Sequence, residues 1–403
     1  MDDMSAAPSA PASLQGTGYG RPQQHPNELL TKVGPGTPCG EYMRRFWQPV
    51  LASHNVTTRP RDIRILGEDL LIFRDGSGRP GLLYPRCMHR GTTLLYGHVE
   101  PDGIRCCYHG WKFSVEGVCL DQPCEPNGGL NREAARQPWY PVQERYGLVW
   151  AYMGPPDKLP ILPRWDNMEP LKEGESYYSA DNSMGAHGDP NGPPVVPYSW
   201  LHMNDNVMDP FHVQVLHSTF SVVQFVKEFE VMPTVEFEYI DAGVIYKAYR
   251  KLDDGREVDR LSTWMAPNIM SVPSVVLAPG RSGGLGFSVP VDDTHSRILM
   301  CGKMNQDMME MMRGTGFSKM KKWSEMTLEE HQDMPGDYEA QVGQGPISLH
   351  SEEHLATSDR GVAMQRRLLE RSIRAVMDGG DPEGVVFDPA KEMIHVPSGN
   401  FFR

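Results

Sequence analysis

The spacing of apolar positions changes several times along the chain. Residues 1–26 (MDDMSAAPSAPASLQGTGYGRPQQHP) have no period. They are rich in Ala, Pro, Ser, Gly and Gln and carry too little apolar surface to order themselves, so a flexible tail is expected. A regular pattern begins at Asn27. Glu41 to Pro49 has a short helical spacing. Ile63–Phe73 and Leu82–Tyr84 read as strands, with the turn formers Asp75, Gly76, Ser77, Gly78 and Pro80 between them. Strand-like pieces continue to Gly147–Tyr152 and stop at the Pro-rich run 155–164, which reads as a boundary. A loop at 179–197, dense in Gly, Pro, Asp and Asn, precedes a compact polar-helical stretch at 201–217. Thr234–Tyr249, Val258–Met265 and Ile269–Ala278 then alternate like antiparallel strands, with turns at 241–243 and 253–255. Residues 352–378 place Leu355, Val362, Leu368, Leu369, Ile373 and Val376 at helical spacing. That pattern ends at Gly379-Gly380, where glycine suits a helix C-terminus. The expected organisation is a tail (1–26), a strand-rich domain (27–160) and a mixed domain (161–403), in the α+β class.

Composition narrows the function classes. A chain of 403 residues has room for two or three domains of about 150 residues. With 39 Lys+Arg against 52 Asp+Glu, the net charge of −13 disfavours nucleic acid and anionic membrane surfaces as partners. No apolar run approaches the roughly 18 residues of a membrane span. The N-terminus lacks the basic and apolar regions of a signal peptide, so a cytoplasmic location is expected. Seven cysteines are too sparse for a disulfide scaffold. Cys87, Cys106, Cys107, Cys119 and Cys124 are nevertheless crowded together, which points to a site.

The crowding contains two short pairs, Cys87-Met88-His89 and Cys106-Cys107-Tyr108-His109, in the pattern C-x-H-x16-C-x-x-H. Two ligand pairs on separate turns suit a metal pocket. A zinc finger would put both cysteines in one pair and both histidines in the other. Mixed pairs suit a binuclear cluster in which two thiolates hold one iron and two imidazoles hold the second. The segment CMHRG…CCYHGWKF resembles the Rieske [2Fe–2S] segment of ring-hydroxylating oxygenases. Rieske proteins of respiratory complexes carry an extra cysteine in each loop, where this chain has Thr92 and Tyr108. The resemblance implies cluster ligands Cys87, His89, Cys106 and His109, with Trp111 packed beside them.

The second constellation is Asn206-x-x-Asp209-x-x-His212-x4-His217. Asp209 and His212 share a helical face, and Pro210 suits a helix start. His212 and His217 are about 140° apart on a regular helix, so they converge on one metal only if the helix is distorted or ends between them. The segment resembles the mononuclear-iron signature of the same oxygenases, in which two imidazoles and a carboxylate leave positions open for dioxygen and substrate. Glu353–Met364 (EHLATSDRGVAM) resembles the EHLxxSDxGV segment of the phthalate-dioxygenase-like subfamily, which implies Asp359 as the third ligand; Glu353 is its nearest rival by position. The resemblance also implies that Asp209 bridges His109 of an adjacent chain to His212, and hence a homotrimer or a dimer of trimers. Asn206 and His202 belong to the same segment. His202 and Asp205 replace the family's usual Gln and Glu, and His202 is a candidate substrate contact.

The likeness extends from residue 27 onward, through NELLTKVGPGTPCGEYMRRFWQPV, GQGPI (343–347) and SDRGVAMQRRLLERSIRAV, to the phthalate 4,5-dioxygenase and dehydrodivanillate O-demethylase branch. It implies an N-terminal all-β Rieske domain and a C-terminal helix-grip catalytic domain, an antiparallel sheet wrapped around a long C-terminal helix. It also implies a terminal oxygenase that dihydroxylates or O-demethylates an aromatic substrate with dioxygen, using mononuclear Fe(II). No dinucleotide fingerprint is present, so a separate NAD(P)H-dependent reductase or a ferredoxin must supply electrons. Substrates of the branch are often carboxylated, which makes Arg250 and Arg260 candidate anchors. The Met-rich run 304–320 reads as a core-facing helix or as a lid over an apolar pocket. Two other classes remain open on the residues alone: a Rieske electron carrier without oxygenase activity and a zinc-stabilised binding module.

Overall fold

The computed structural model describes residues 18, 20–129, 132–181, 193–220, 223–306, 310 and 321–403. Most of the expected tail, the centre of the 179–197 loop and most of the Met-rich run lie outside these residues. The described end of the tail is docked. Arg21 pairs with Glu352 at 2.8 Å, and the His25 N–H donates to Ser351 Oγ.

Strands between residues 47 and 152 form three small antiparallel sheets. One joins Trp47–Ala52, Leu148–Tyr152 and Val142–Arg145; two four-stranded sheets complete the region. The expected single strand Ile63–Phe73 is a hairpin, Arg61–Ile65 and Glu68–Arg74. Its two-residue turn, Leu66-Gly67, has φ of 51° and 78°, a primed turn whose twist matches the paired strands. Beneath the Cys/His turns lies a small separate core that includes Leu71, Phe73, Leu83, Leu94, Ile104 and Phe113.

The larger sheet has nine strands, from Thr234–Ile240 through Gly243–Lys251, Glu257–Met265, Ile269–Ser271, Gly284–Asp292 and His295–Met304 to Ser176–Ala180, with Gly280–Arg281 and Gly399–Phe402 paired at one side. The expected strand 269–278 stops at Ser271, ahead of Pro273. The helix expected over 352–378 begins only at Arg360, because 350–359 is occupied by two tight turns. This helix, Arg360–Met377, packs on Gly243–Lys251 and buries Val362, Leu368, Leu369 and Ile373. Gly361 makes the close approach possible: a Cβ there would lie 2.5 Å from the Phe237 ring and 2.6 Å from the Met208 carbonyl.

The second helix on the sheet is Trp200–Val207, tied down by Ser288 Oγ–H to the Trp200 carbonyl and by Trp264 Nε1–H to Asn204 Oδ1. The N-terminal helices Glu28–Thr31 and Pro38–Arg44 pack against Arg360–Met377. One hydrophobic core runs from Leu30 through Trp150 and Trp264 to Val396.

Candidate metal centres

The two Cys/His pairs sit on matched turns. Cys87 N–H donates to the Thr92 carbonyl, and Cys106 N–H to the Trp111 carbonyl, both at 2.8 Å. Gly91 N–H and Gly110 N–H return to the Cys87 and Cys106 carbonyls. Both glycines have positive φ, 77° and 72°, which they adopt without a Cβ penalty. The turns bring the His89 and His109 rings to 4.5 Å between centroids, and Trp111 stacks on His89 at 4.4 Å with an interplanar angle of 3°. Cys87 and Cys106 are buried, whereas neighbouring Tyr108 and Met88 are exposed. Burial pushes the Cys87 thiol up to about 12, so a thiolate there requires a cation to hold it. His89 Nδ1 is buried without a partner. Two buried thiols facing two imidazoles, one with an orphaned nitrogen, fit a [2Fe–2S] cluster with mixed ligation.

The second site solves the five-residue spacing with a π-helical turn. Helix His212–Gln214 passes directly into Val215–Thr219, which closes with i→i+5 bonds such as Phe220 N–H to Val215 O at 2.8 Å. The wider turn brings His217 beside His212, with ring centroids 5.3 Å apart. Each imidazole is oriented from its far nitrogen. His212 Nδ1–H donates to the Asp209 carbonyl at 2.5 Å, and His217 Nδ1–H donates to Gln224 Oε1 at 2.8 Å. The Gln224 amide group donates in turn to Pro335 O, which leaves its oxygen as the acceptor. Both Nε2 lone pairs therefore face inward.

The carboxylate they face is Asp337. Its Oδ1 lies 3.2 Å from His217 Nε2 and 3.6 Å from His212 Nε2, and it accepts Asn206 Nδ2–H at 2.9 Å. Among the described residues these three form the one His/Cys/Asp/Glu group whose atoms all lie within 4.8 Å of one another. Burial alone would raise Asp337, but the two imidazoles and the Asn206 amide hold it well below the usual carboxylate range. Two imidazole nitrogens and a carboxylate oxygen converging within one small volume fit a divalent iron bound by two imidazoles and one carboxylate.

The structure thus corrects the expected third ligand. Asp359 is not at this site: its carboxylate accepts the Ala356 N–H at 2.7 Å and closes a surface turn ahead of the long helix. Glu353 is engaged by Arg366, which also pairs with Asp205 at 2.7 Å. His202 does not join the group either. It is 3% exposed, lies 3.2 Å from Ser348 Oγ, and packs on Tyr198. Asn206 and Asp209 are both brought to the site. The Asp209 carboxylate lies 3.6 Å from His212 Nδ1 and stays partly exposed. The candidate anchors Arg250 and Arg260 are both buried, against the Phe229 ring. Sequence reasoning missed Asp337 and Gln224. Asp337 is the first residue of helix Asp337–Gly343, just after Pro335-Gly336, and only its burial distinguishes it from other acids at helix starts.

The Rieske [2Fe-2S] domain family matches residues 46–141. The phenoxybenzoate dioxygenase subunit alpha of Ectopseudomonas oleovorans is 53% identical over 399 residues, covering 98% of this chain and 96% of its own. The 5,5'-dehydrodivanillate O-demethylase oxygenase subunit of a Sphingobium species is 31% identical, covering 90% and 83%. In three dimensions the chain resembles dicamba monooxygenase bound to dicamba, with a TM-score of 0.60 at 17% identity, over 84% of this chain and 99% of that one. The mixed thiol–imidazole turns, the second site with its imidazole pair and these full-length likenesses converge: the chain belongs to the Rieske non-haem iron oxygenases, as an oxygenase subunit.

Proposed function

We propose that this subunit oxidises an aromatic carboxylate at a mononuclear Fe(II) held by His212, His217 and Asp337. The observation that carries the reading is the inward-facing pair of Nε2 lone pairs opposite the Asp337 carboxylate, each imidazole locked from behind by an acceptor. Iron bound there supplies the activation of dioxygen. The chain's own residues fix the geometry: Asp209 and Gln224 orient the imidazoles, and Asn206 orients the carboxylate. The relatives support an aromatic acid by their names, which include phenoxybenzoate, 3-chlorobenzoate and phthalate.

The proposed electron route enters at Cys87, His89, Cys106 and His109 from a separate reductase or ferredoxin. It then crosses to a neighbouring copy through Asp209, whose carboxylate touches His212 at one end and remains partly exposed at the other. This route makes a homotrimer the working assembly. Cys107 and Cys124 are exposed free thiols, and no described helix is long and apolar enough to cross a membrane.

The test is turnover with a surrogate reductase on phthalates, methoxybenzoates and biaryl acids, with iron measured in parallel. Diol formation identifies dioxygenation, and formaldehyde release identifies O-demethylation. A protein with an intact cluster whose Asp337→Ala variant keeps its iron and its turnover would overturn the assignment.

A further inference from the structure

Asn206 stands in the last turn of helix Trp200–Val207. Its Nδ2–H donates at 2.9 Å to Asp337 Oδ1, the same oxygen that faces His212 and His217. The aim of that oxygen therefore depends on where this last turn is held. A last turn is the part of a helix most ready to fray, because its carbonyls have no partner in a following turn. Two contacts fix the helix on one side: Ser288 Oγ–H to the Trp200 carbonyl, and Trp264 Nε1–H to Asn204 Oδ1. The next residue, Asp205, lies about 100° further round the helix. Its carboxylate is held by Arg366.

Arg366 belongs to the long helix Arg360–Met377. Its Nε–H and Nη2–H donate to the two oxygens of Asp205 at 3.3 and 2.7 Å. Its Nη1–H and Nη2–H donate to the two oxygens of Glu353. Side-chain exposure is 13% for Arg366, 17% for Asp205 and 25% for Glu353, so water cannot readily take the place of these contacts. One guanidinium thus clamps three segments with two forks: the long helix, the last turn of Trp200–Val207 and the turns at 350–359. The planar guanidinium has the donors for this, whereas the point charge of a lysine does not. The third segment is itself fastened from outside. Asn27 N–H donates to His350 Nδ1 at 3.1 Å, and His25 N–H to Ser351 Oγ at 2.9 Å.

Resting on the iron site proposed above, we infer that Arg366 is a positioning residue for the iron. Through Asp205 it fixes the turn that carries Asn206, and through Asn206 it aims the Asp337 carboxylate at His212 and His217. The contacts run from Glu353 to Arg366 to Asp205, pass one peptide unit to Asn206, and end at Asp337 Oδ1. Gly361, near the start of the same long helix, sets how closely that helix approaches Met208; Arg366 sets how the two helices are registered. A carboxylate released from Asn206 is free to rotate and to offer a metal either oxygen. Loss of Arg366 therefore alters coordination geometry as well as affinity.

Two measurements on the holoenzyme test this without turnover: chelator competition for the iron, and the electron paramagnetic resonance signal of the ferrous site with nitric oxide as probe. Arg366→Lys keeps the charge and loses the forks. It should weaken iron binding about 10-fold, the low end for a group acting behind a metal ligand, and shift the nitric oxide signal, with the visible absorbance of the cluster unchanged. Asp205→Asn, a milder change, should move both readouts in the same direction if the first variant does not fold. Asp381→Asn is the control. It weakens the buried pair with Arg45 beyond the far end of the long helix, so it should lower the Tm and leave iron affinity and signal as in the wild type. Wild-type affinity and signal in both Arg366→Lys and Asp205→Asn, or an equal loss of iron in Asp381→Asn, would overturn the positioning role. A nitric oxide signal that survives Asp337→Ala unchanged would instead sink the iron assignment on which that role rests.

Discussion

The two metal centres are assembled in opposite ways. The four cluster ligands lie between residues 87 and 109, on two turns that close their own hydrogen bonds and rest on a small private core. The iron site joins a π-helical turn at 215–219 to the first residue of a helix beginning at Asp337, with its orienting groups supplied by Asn206, Asp209 and Gln224. A locally closed site survives changes elsewhere in the chain, whereas a site gathered from distant segments depends on the whole catalytic core. The two should therefore fail separately.

The largest expected effects break one centre and spare the other. Asp337→Ala should remove the mononuclear iron and reduce turnover to background while the visible absorbance of the cluster is unchanged; Cys106→Ser should do the reverse to the absorbance. Asp209→Ala keeps the backbone carbonyl that orients His212, so both metals should stay, while loss of the proposed bridging carboxylate should lower turnover on the order of 100-fold. Full activity in that variant would remove the inter-subunit bridge. Gln224→Leu should weaken iron binding by about 10- to 100-fold, seen in chelator competition, with no change at the cluster.

Acid should also separate the regions. Burial holds the His202 imidazole at about 4, below its ordinary 6.5. Between these values the unfolded chain binds the proton and the folded chain does not. The catalytic side should therefore be fully stabilised above pH 6.5 and lose on the order of 3 kcal/mol as the pH falls to 4. His202→Gln should flatten that slope in chemical denaturation at several pH values. The smallest effect is expected from Asp359→Ala: about 1 kcal/mol for a lost capping contact, with iron retained. Loss of iron in this variant would return the ligand role to Asp359.

The same contrast explains what was legible in the sequence. The proposed cluster ligands could be picked out together because spacing within a turn fixes their geometry. His212 and His217 were legible as a pair, and the need for a distorted helix between them was foreseen. The third ligand was not, because nothing in local spacing reports that Asp337 rather than Asp359 folds back onto the imidazoles. Asp359 carries a pattern that also describes an ordinary turn-closing acid, and that is what its contact with Ala356 makes it. The sheet was legible through alternation, as at Glu257–Met265, but the Leu66-Gly67 reversal was hidden inside an unbroken apolar run. The depth of Arg250 and Arg260 was not legible for a related reason: alternation puts them on one face of the sheet but does not say that this face is the buried one.

The π-helical turn holds one residue more than a regular helical turn would need. In terms of chain length it behaves as a single-residue insertion between the two imidazoles. Removing one residue from 213–216 would make the pair i,i+4, about 40° apart on an ordinary helix, so a shorter and more regular segment would still present both imidazoles on one face. The requirement is therefore on the angle between the two imidazoles, and at the present spacing the wider turn is what meets it.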